Sequence, residues 1–293
     1  MSARPTAYFT RPSLTSSSAH FNDKDTALLH EFRTFLFKRN NSASWLQFHE
    51  VVGDWALLRF LRSCEFNLDK AISKFQQHVS VRREFNLDVI RNRVMLTTSQ
   101  EKLIEFDQKD VVHGAEIAKF LLIEYSIGWD PAGRLVTLFS VVGPLLNWLS
   151  SSKTAAQMFR EYILEAYVRR MIQLDLLSRK YGKLVMLNNI VNNLMGGAHW
   201  KLLIPGRPRS VGRMWLQLMS SKPSCLDRMH WLKANWALRG FARATKLVNM
   251  GCSVFFYGSS DLNELQNLRD DIGEHAVSHF VCVGDFDSFW TCL

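Results

Sequence analysis

The sequence predicts an α/β protein, in which a helical N-terminal lobe precedes a lobe built on a mostly parallel mixed sheet flanked by helices. Three observations carry this. Apolar residues recur at helical spacing from 23 to about 116. The period then shortens, and brief β-type runs alternate with helical stretches, the pattern of βαβ units. Between the first two of those runs lies Asp130-Pro131-Ala132-Gly133, a turn in which Pro presets φ and Gly accepts conformations that other residues resist.

The elements follow in order. Residues 1–20 hold eight Ser or Thr, Pro5, Pro12 and no acid, and are expected to form a disordered tail. A mitochondrial presequence also lacks acids, but the two prolines interrupt the amphipathic helix it needs. Within the helical lobe, 21–116, Leu28, Leu29, Phe32, Phe35 and Leu36 share one stripe. Trp55, Leu58 and Leu61 mark a second helix. Asn67 caps a third, carrying Leu68, Ile72, Phe75 and Val79, and Leu103, Ile104 and Phe106 belong to a short fourth. In 117–293, strands are expected at 121–127, 135–141, 184–187, 229–234, 253–257 and 280–283, with a long helix over 154–181.

Composition narrows the function. A hydrophobic content of 47%, a charged content of 22% and nine Trp exclude global disorder. The five cysteines, Cys64, Cys225, Cys252, Cys282 and Cys292, are odd in number and form no C-x-x-C, which fits a reducing compartment better than a disulfide framework. No secretory signal opens the chain. The longest apolar run, 136–149, is interrupted by Ser140, Gly143, Pro144 and Asn147 and is shorter than the ~20 residues of a spanning helix. A soluble, cytoplasmic protein that works at membrane surfaces is expected. The net charge of +9 is concentrated: 153–246 holds 17 Lys or Arg against 4 Asp or Glu, leaving 19 basic and 23 acidic residues elsewhere. That asymmetry suggests an anionic partner, a phospholipid surface or a nucleic acid, against the plainer alternative of a solvated basic face.

Catalytic motifs are missing. The chain has no G-x-S-x-G, G-x-G-x-x-G or H-E-x-x-H. The basic, glycine-punctuated stretch 206–213 lacks the Lys-Ser/Thr of a phosphate loop, and its Pro208 removes an N–H donor. His275, His279 and Cys282 lack a fourth neighbour for zinc. No enzyme activity, cofactor or metal is expected. Segment 236–248 is more informative, with Leu238, Phe241, Thr245 and Val248 on one helical face and Arg239, Arg243 and Lys246 on another. It suits an anionic membrane interface, but by periodicity alone it reads first as an ordinary surface helix packed on the sheet.

Leu57-Leu58-Arg59-Phe60-Leu61-Arg62-Ser63-Cys64-Glu65-Phe66-Asn67-Leu68-Asp69-Lys70-Ala71 resembles the opening of CRAL-TRIO proteins, and Arg82-Arg83 sits where their next helix ends. Asp130-Pro131-Ala132-Gly133-Arg134-Leu135-Val136 is similar to the family's D-x-x-G-R-P-V turn, with Leu135 in place of proline. The match continues through Cys225-Leu226-Asp227-Arg228-Met229-His230-Trp231-Leu232-Lys233-Ala234-Asn235-Trp236, through 251–259, and to Val283-Gly284-Asp285. It spans about residues 50–290.

The resemblance implies a CRAL-TRIO-like lobe whose sheet floors an apolar pocket closed by a movable helix at 236–248. On that basis Leu184, Met186, Leu232, Ala234 and Phe255 are expected to line the floor, with Leu238, Phe241 and Thr245 on the gate and Arg239, Arg243 and Lys246 meeting lipid headgroups. Strand 184–187 is apolar on both faces, as a buried pocket floor requires. The expected partners are a hydrophobic small molecule or phospholipid and an anionic membrane surface. Phosphatidylinositol-transfer members hold the headgroup with an Arg-Lys pair where this chain has Cys64-Glu65, and with a Glu-Arg pair where it has Ser224-Cys225. A carboxylate at Glu65 repels phosphate, so headgroup-specific phosphoinositide binding is not expected. Two alternatives remain open: a cargo-free module for a protein partner such as a small GTPase regulator, and, more remotely, a nucleic-acid binder, which lacks any groove-reading motif.

Overall fold

Helical periodicity becomes packing in the first half of the chain. The structure, a computed structural model, describes residues 23–39, 43–142, 144–194, 207–223, 225–232, 253–256 and 262–273. The segment before the sheet forms α1 (Asp23–Arg39), α2 (His49–Val52), α3 (Asp54–Ser63), α4 (Leu68–Glu84), α5 (Leu87–Thr97), α6 (Gln100–Glu105) and α7 (Gly114–Ile117). The stripe of α1 buries Leu29, Phe32 and Leu36. Phe32, Trp45 and Phe60 all set their rings edge-on against Phe75 at 5.2–5.8 Å between centroids. That geometry aligns the positive ring edge with the negative ring face. Asn67 caps α4 as expected, accepting a hydrogen bond from the Lys70 N–H at 3.0 Å. Helix α5 is absent from the sequence-based reading, and its exposure explains why. Val89 and Leu96 lie on its outer side, 68% and 87% exposed, so its apolar residues do not trace a single face.

The expected α/β architecture is present. Strands β1 (Leu121–Trp129), β2 (Leu135–Val142), β3 (Leu187–Leu194), β4 (Leu226–Leu232) and β5 (Ser253–Phe256) lie in the order β1-β2-β3-β4-β5. The first pair is antiparallel and the others are parallel. The β1–β2 turn closes with Gly133 N–H donating to Asp130 O at 2.8 Å, and Gly133 has φ +74°, a conformation that suits glycine. Parallel pairing requires crossovers. Helices α8 (Pro144–Ser151) and α9 (Lys153–Tyr181) join β2 to β3, and α10 (Arg207–Ser221) lies between β3 and β4. Helix α11 (Leu262–Ile272) follows β5.

Helix α9 organises the molecule. Its 29 residues span ~44 Å. Ser152 caps it by accepting from the Ala155 N–H at 2.9 Å. Gly182, at φ +61°, ends it in the left-handed conformation that glycine favours at this position. Every residue from Met171 to Ser178 is buried. Met171, Leu174 and Leu177 pack on the sheet, while Val168, Ile172 and Leu176 pack in the cluster shared with Val81, Leu87 and Val94. Helix α9 thus packs on the helical lobe with one side and on the sheet with the other.

Strand boundaries differ from expectation in two places of consequence. Strand β4 begins earlier than the expected 229–234, because Leu226 already pairs with Leu187, and 233–234 lie outside the described residues. Strand 253–256 is close to that expected. The larger correction concerns β3, which runs over 187–194 instead of 184–187. The compact apolar run Leu184-Val185-Met186-Leu187 attracted the assignment, yet the paired segment is Leu187-Asn188-Asn189-Ile190-Val191-Asn192-Asn193-Leu194, with asparagine on both faces. The tail 1–20, the strand at 280–283 and the segment 236–248 lie outside the described residues.

Candidate functional site

Side chains alternate across the sheet, so register assigns its two faces. Leu187 and Val191 of β3, with Leu135, Phe139 and Met229, point to the face covered by α9. Asn188 and Ile190 point to the opposite face. Their partners in register are Val136 and Leu138 on β2 and Arg228 and His230 on β4, with Phe255 of β5 beside His230. Leu232 follows on the same face of β4. Val136, Leu138, Ile190 and Leu232 are at most 3% exposed. Among the described residues, none of the four belongs to the clusters that pack on α9 or hold the helical lobe together.

The expected site residues divide accordingly. Leu232 and Phe255 do lie on this face, the first buried and the second 37% exposed. Met186 is buried just ahead of β3, where its carbonyl accepts from the Leu135 N–H at 2.9 Å. Leu184 packs on the core of the helical lobe, next to residues of α1, α3 and α4. Ala234, Leu238, Arg239, Phe241, Arg243, Thr245 and Lys246 lie outside the described residues. Val136, Leu138 and Ile190 were missed. The available signal was period-two alternation continuing through the asparagines, which an early strand boundary hid.

The sheet face is polar at one end. This is the base, where the parallel strands begin. Asp130, fully buried, accepts from the Arg134 N–H (2.8 Å), from Arg134 Nε (2.5 Å) and from Asn188 Nδ2 (2.9 Å). Arg134 Nη1 reaches Asp227 of β4 at 2.9 Å, and Asp227 also receives Arg62 of α3 at 2.5 Å. Asp271 of α11 pairs with Arg228, and its carboxylate lies 3.6 Å from His230 Nε2. His230 is fully buried and its ring stacks on Phe255 at 5.1 Å. Burial pushes its pKa down to about 3, with help from the Arg228 and Arg134 charges. It is a neutral imidazole at ordinary pH.

Arg59 joins the lobes on the other side of the sheet. Its guanidinium is fully buried, and Nη2 donates to Leu174 O (3.1 Å), Ser178 Oγ (2.7 Å) and Val185 O (3.2 Å). It thereby ties α3 to the end of α9 and to the approach to β3. Burial lowers its pKa from the ordinary arginine value, a shift opposed by Cys225 and Asp175. Nearby, Lys74 donates to Ser63 Oγ at 3.2 Å, and burial holds its pKa down as well, against the opposing influence of Cys64 and Cys225. The segments that carried the sequence resemblance, around Arg59, Arg62, Asp130, Arg134 and Asp227, thus form the joint between the lobes.

No family profile matches this sequence, and no curated protein matches it. Among solved structures, a crystal structure of Sfh5 aligns over 89% of this chain and 97% of its own, with 11% identity and a TM-score of 0.48. Among the described residues no helix is long and apolar enough to cross a membrane, and no group of three or more His, Cys, Asp or Glu is placed to hold a metal ion.

Proposed function

We propose that this protein is a non-enzymatic, CRAL-TRIO-like carrier or sensor of a hydrophobic ligand, and that it exchanges its cargo at anionic membranes. The observation that supports this is the face away from α9. There Val136, Leu138, Ile190 and Leu232 form a buried apolar row across three strands, on the side of the sheet away from α9 and outside the clusters that pack on α9 and hold the helical lobe together. An apolar surface with a few fixed polar groups at one end is the usual chemistry of a small-molecule site. Here Asn188, Arg228 and His230 supply the polar end. The ligand is held by burial and by that end, with no covalent step. Phosphoinositide headgroups are not favoured, because Cys64-Glu65 stands where the phosphatidylinositol-transfer members this chain resembles carry a basic pair.

Solvent extraction of the purified full-length protein, followed by mass spectrometry, tests the proposal. A defined lipid is expected in near-stoichiometric amount, and Ile190→Asp should abolish it by setting an unpaired carboxylate against an apolar surface. A folded protein that carries no lipid after exposure to mixed vesicles would sink the proposal. Preferential loading with phosphatidylinositol would overturn the headgroup statement alone.

A further inference from the structure

Basic residues of the second lobe are arranged differently at its two ends. At the base, Arg134 and Arg228 meet carboxylates. Toward the rim, where the parallel strands end, Lys153 and Arg213 meet none among the described residues. Helix α10 has its last turn four residues ahead of β4, so that end lies at the base; at ~22 Å long it carries its first turn toward the rim. It contains Arg207, Arg209 and Arg213 and no acidic residue, and from Pro144 to Arg160 there are two basic residues and no acidic one. Cations in the first turns of a helix oppose its dipole, so helix stability does not account for their placement.

The packing of α10 shows which side is left outward. Val211, Met214 and Leu218 are buried with Leu145 and Leu149 of α8 and Phe159 of α9. Ser210, Arg213, Leu216 and Ser220 form the outer stripe, with Leu216 42% exposed and Trp215 half-buried beside it. Among the described residues neither Arg213 nor Lys153 pairs with a carboxylate. An exposed leucine and a half-buried tryptophan beside Arg213 match the headgroup region of an anionic bilayer, where Trp settles at the interface and Arg meets lipid phosphate.

We propose that the outer stripe of α10, centred on Arg213 and Leu216, is the surface by which this protein docks on anionic phospholipid membranes. The proposal deepens the carrier function and rests on it for its purpose, but its test does not depend on cargo. The full-length protein is sedimented with vesicles of phosphatidylcholine containing phosphatidylserine, and with phosphatidylcholine alone. Wild type should bind the anionic vesicles and lose binding as salt rises. Arg213→Glu changes the local charge by two units and should weaken binding about thirtyfold, at roughly fivefold per charge unit near the surface. Leu216→Ser should weaken binding to a lesser extent, whereas Lys70→Glu, an exposed change on the helical lobe, should leave it unaltered. Thermal melting confirms that each variant is folded. Undiminished vesicle binding by Arg213→Glu overturns the proposal, as does a wild type that binds oligonucleotide but not vesicles. Arg213-dependent docking by a protein that carries no lipid supports the proposal while the carrier function fails.

Discussion

Arginine occupies the two ends of the parallel strands in opposite circumstances. At the base, Arg134 bridges Asp130 and Asp227, Arg62 shares Asp227, and Arg228 meets Asp271. Toward the rim, α10 offers Arg213 on a surface without an acidic residue on its own helix. For Arg134, whose side chain is 10% exposed, the difference follows from burial. A cation inside a protein must be compensated because desolvation costs several kcal/mol, whereas a solvated one is stable alone and remains available to a partner. Compensated arginines therefore report on architecture, and uncompensated ones on interaction.

That contrast breaks most easily at Asp130. Asp130→Ala strips the buried Arg134 and Asn188 of a common acceptor and should cost about 3–5 kcal/mol in urea denaturation, with an unchanged denaturant slope. A cost below 1 kcal/mol would mean that the base network is dispensable. Acid should act in the same direction. His230 is held neutral down to about pH 3, whereas in the unfolded chain it takes up a proton near 6.5. Its contribution is complete above pH 6.5 and is lost as pH falls toward 3, on the order of 3 kcal/mol by pH 4. His78, buried and likewise pushed well below its ordinary value, adds in the same sense. His230→Leu should flatten the stability profile between pH 6.5 and 4. An unaltered profile would show that His230 is not the titrating group.

Smaller effects sharpen the comparison. Arg62 is 45% exposed and Asp227 keeps Arg134 when it is removed, so Arg62→Met should cost about 1 kcal/mol or less by the same measurement. Arg213→Glu should shift stability by no more than about 0.5 kcal/mol while changing vesicle binding. A large stability loss at Arg213 would place it with the base arginines and erase the distinction.

Local physics made most of the fold legible. The stripe of α1, the Asn67 cap, the Gly133 turn and the long α9 are each set by residues within a turn or two of one another. Reading the site went less well, and β3 shows why. Leu184 to Leu187 is the stronger apolar run, but pairing uses the segment that can align with β2 and β4, where Asn188 meets Asp130 and Asn189 receives the Thr137 hydroxyl at 3.0 Å. Those asparagines look polar and exposed in sequence, and Asn188 is fully buried.

The sequence alone determined the α/β class, the succession of a helical lobe and a strand-bearing one, and the uneven charge, because periodicity, caps and composition act over short distances. Tertiary structure decided which residues share a face. It moved Leu184 to the helical lobe, joined Val136, Leu138 and Ile190 to Leu232, and placed Arg59 and Arg134 in the joint between lobes. The physical reason is that strand register and the pairing of charges are fixed by contacts between residues as many as 165 positions apart, such as Arg62 and Asp227, and one residue of slip turns each side chain to the other face.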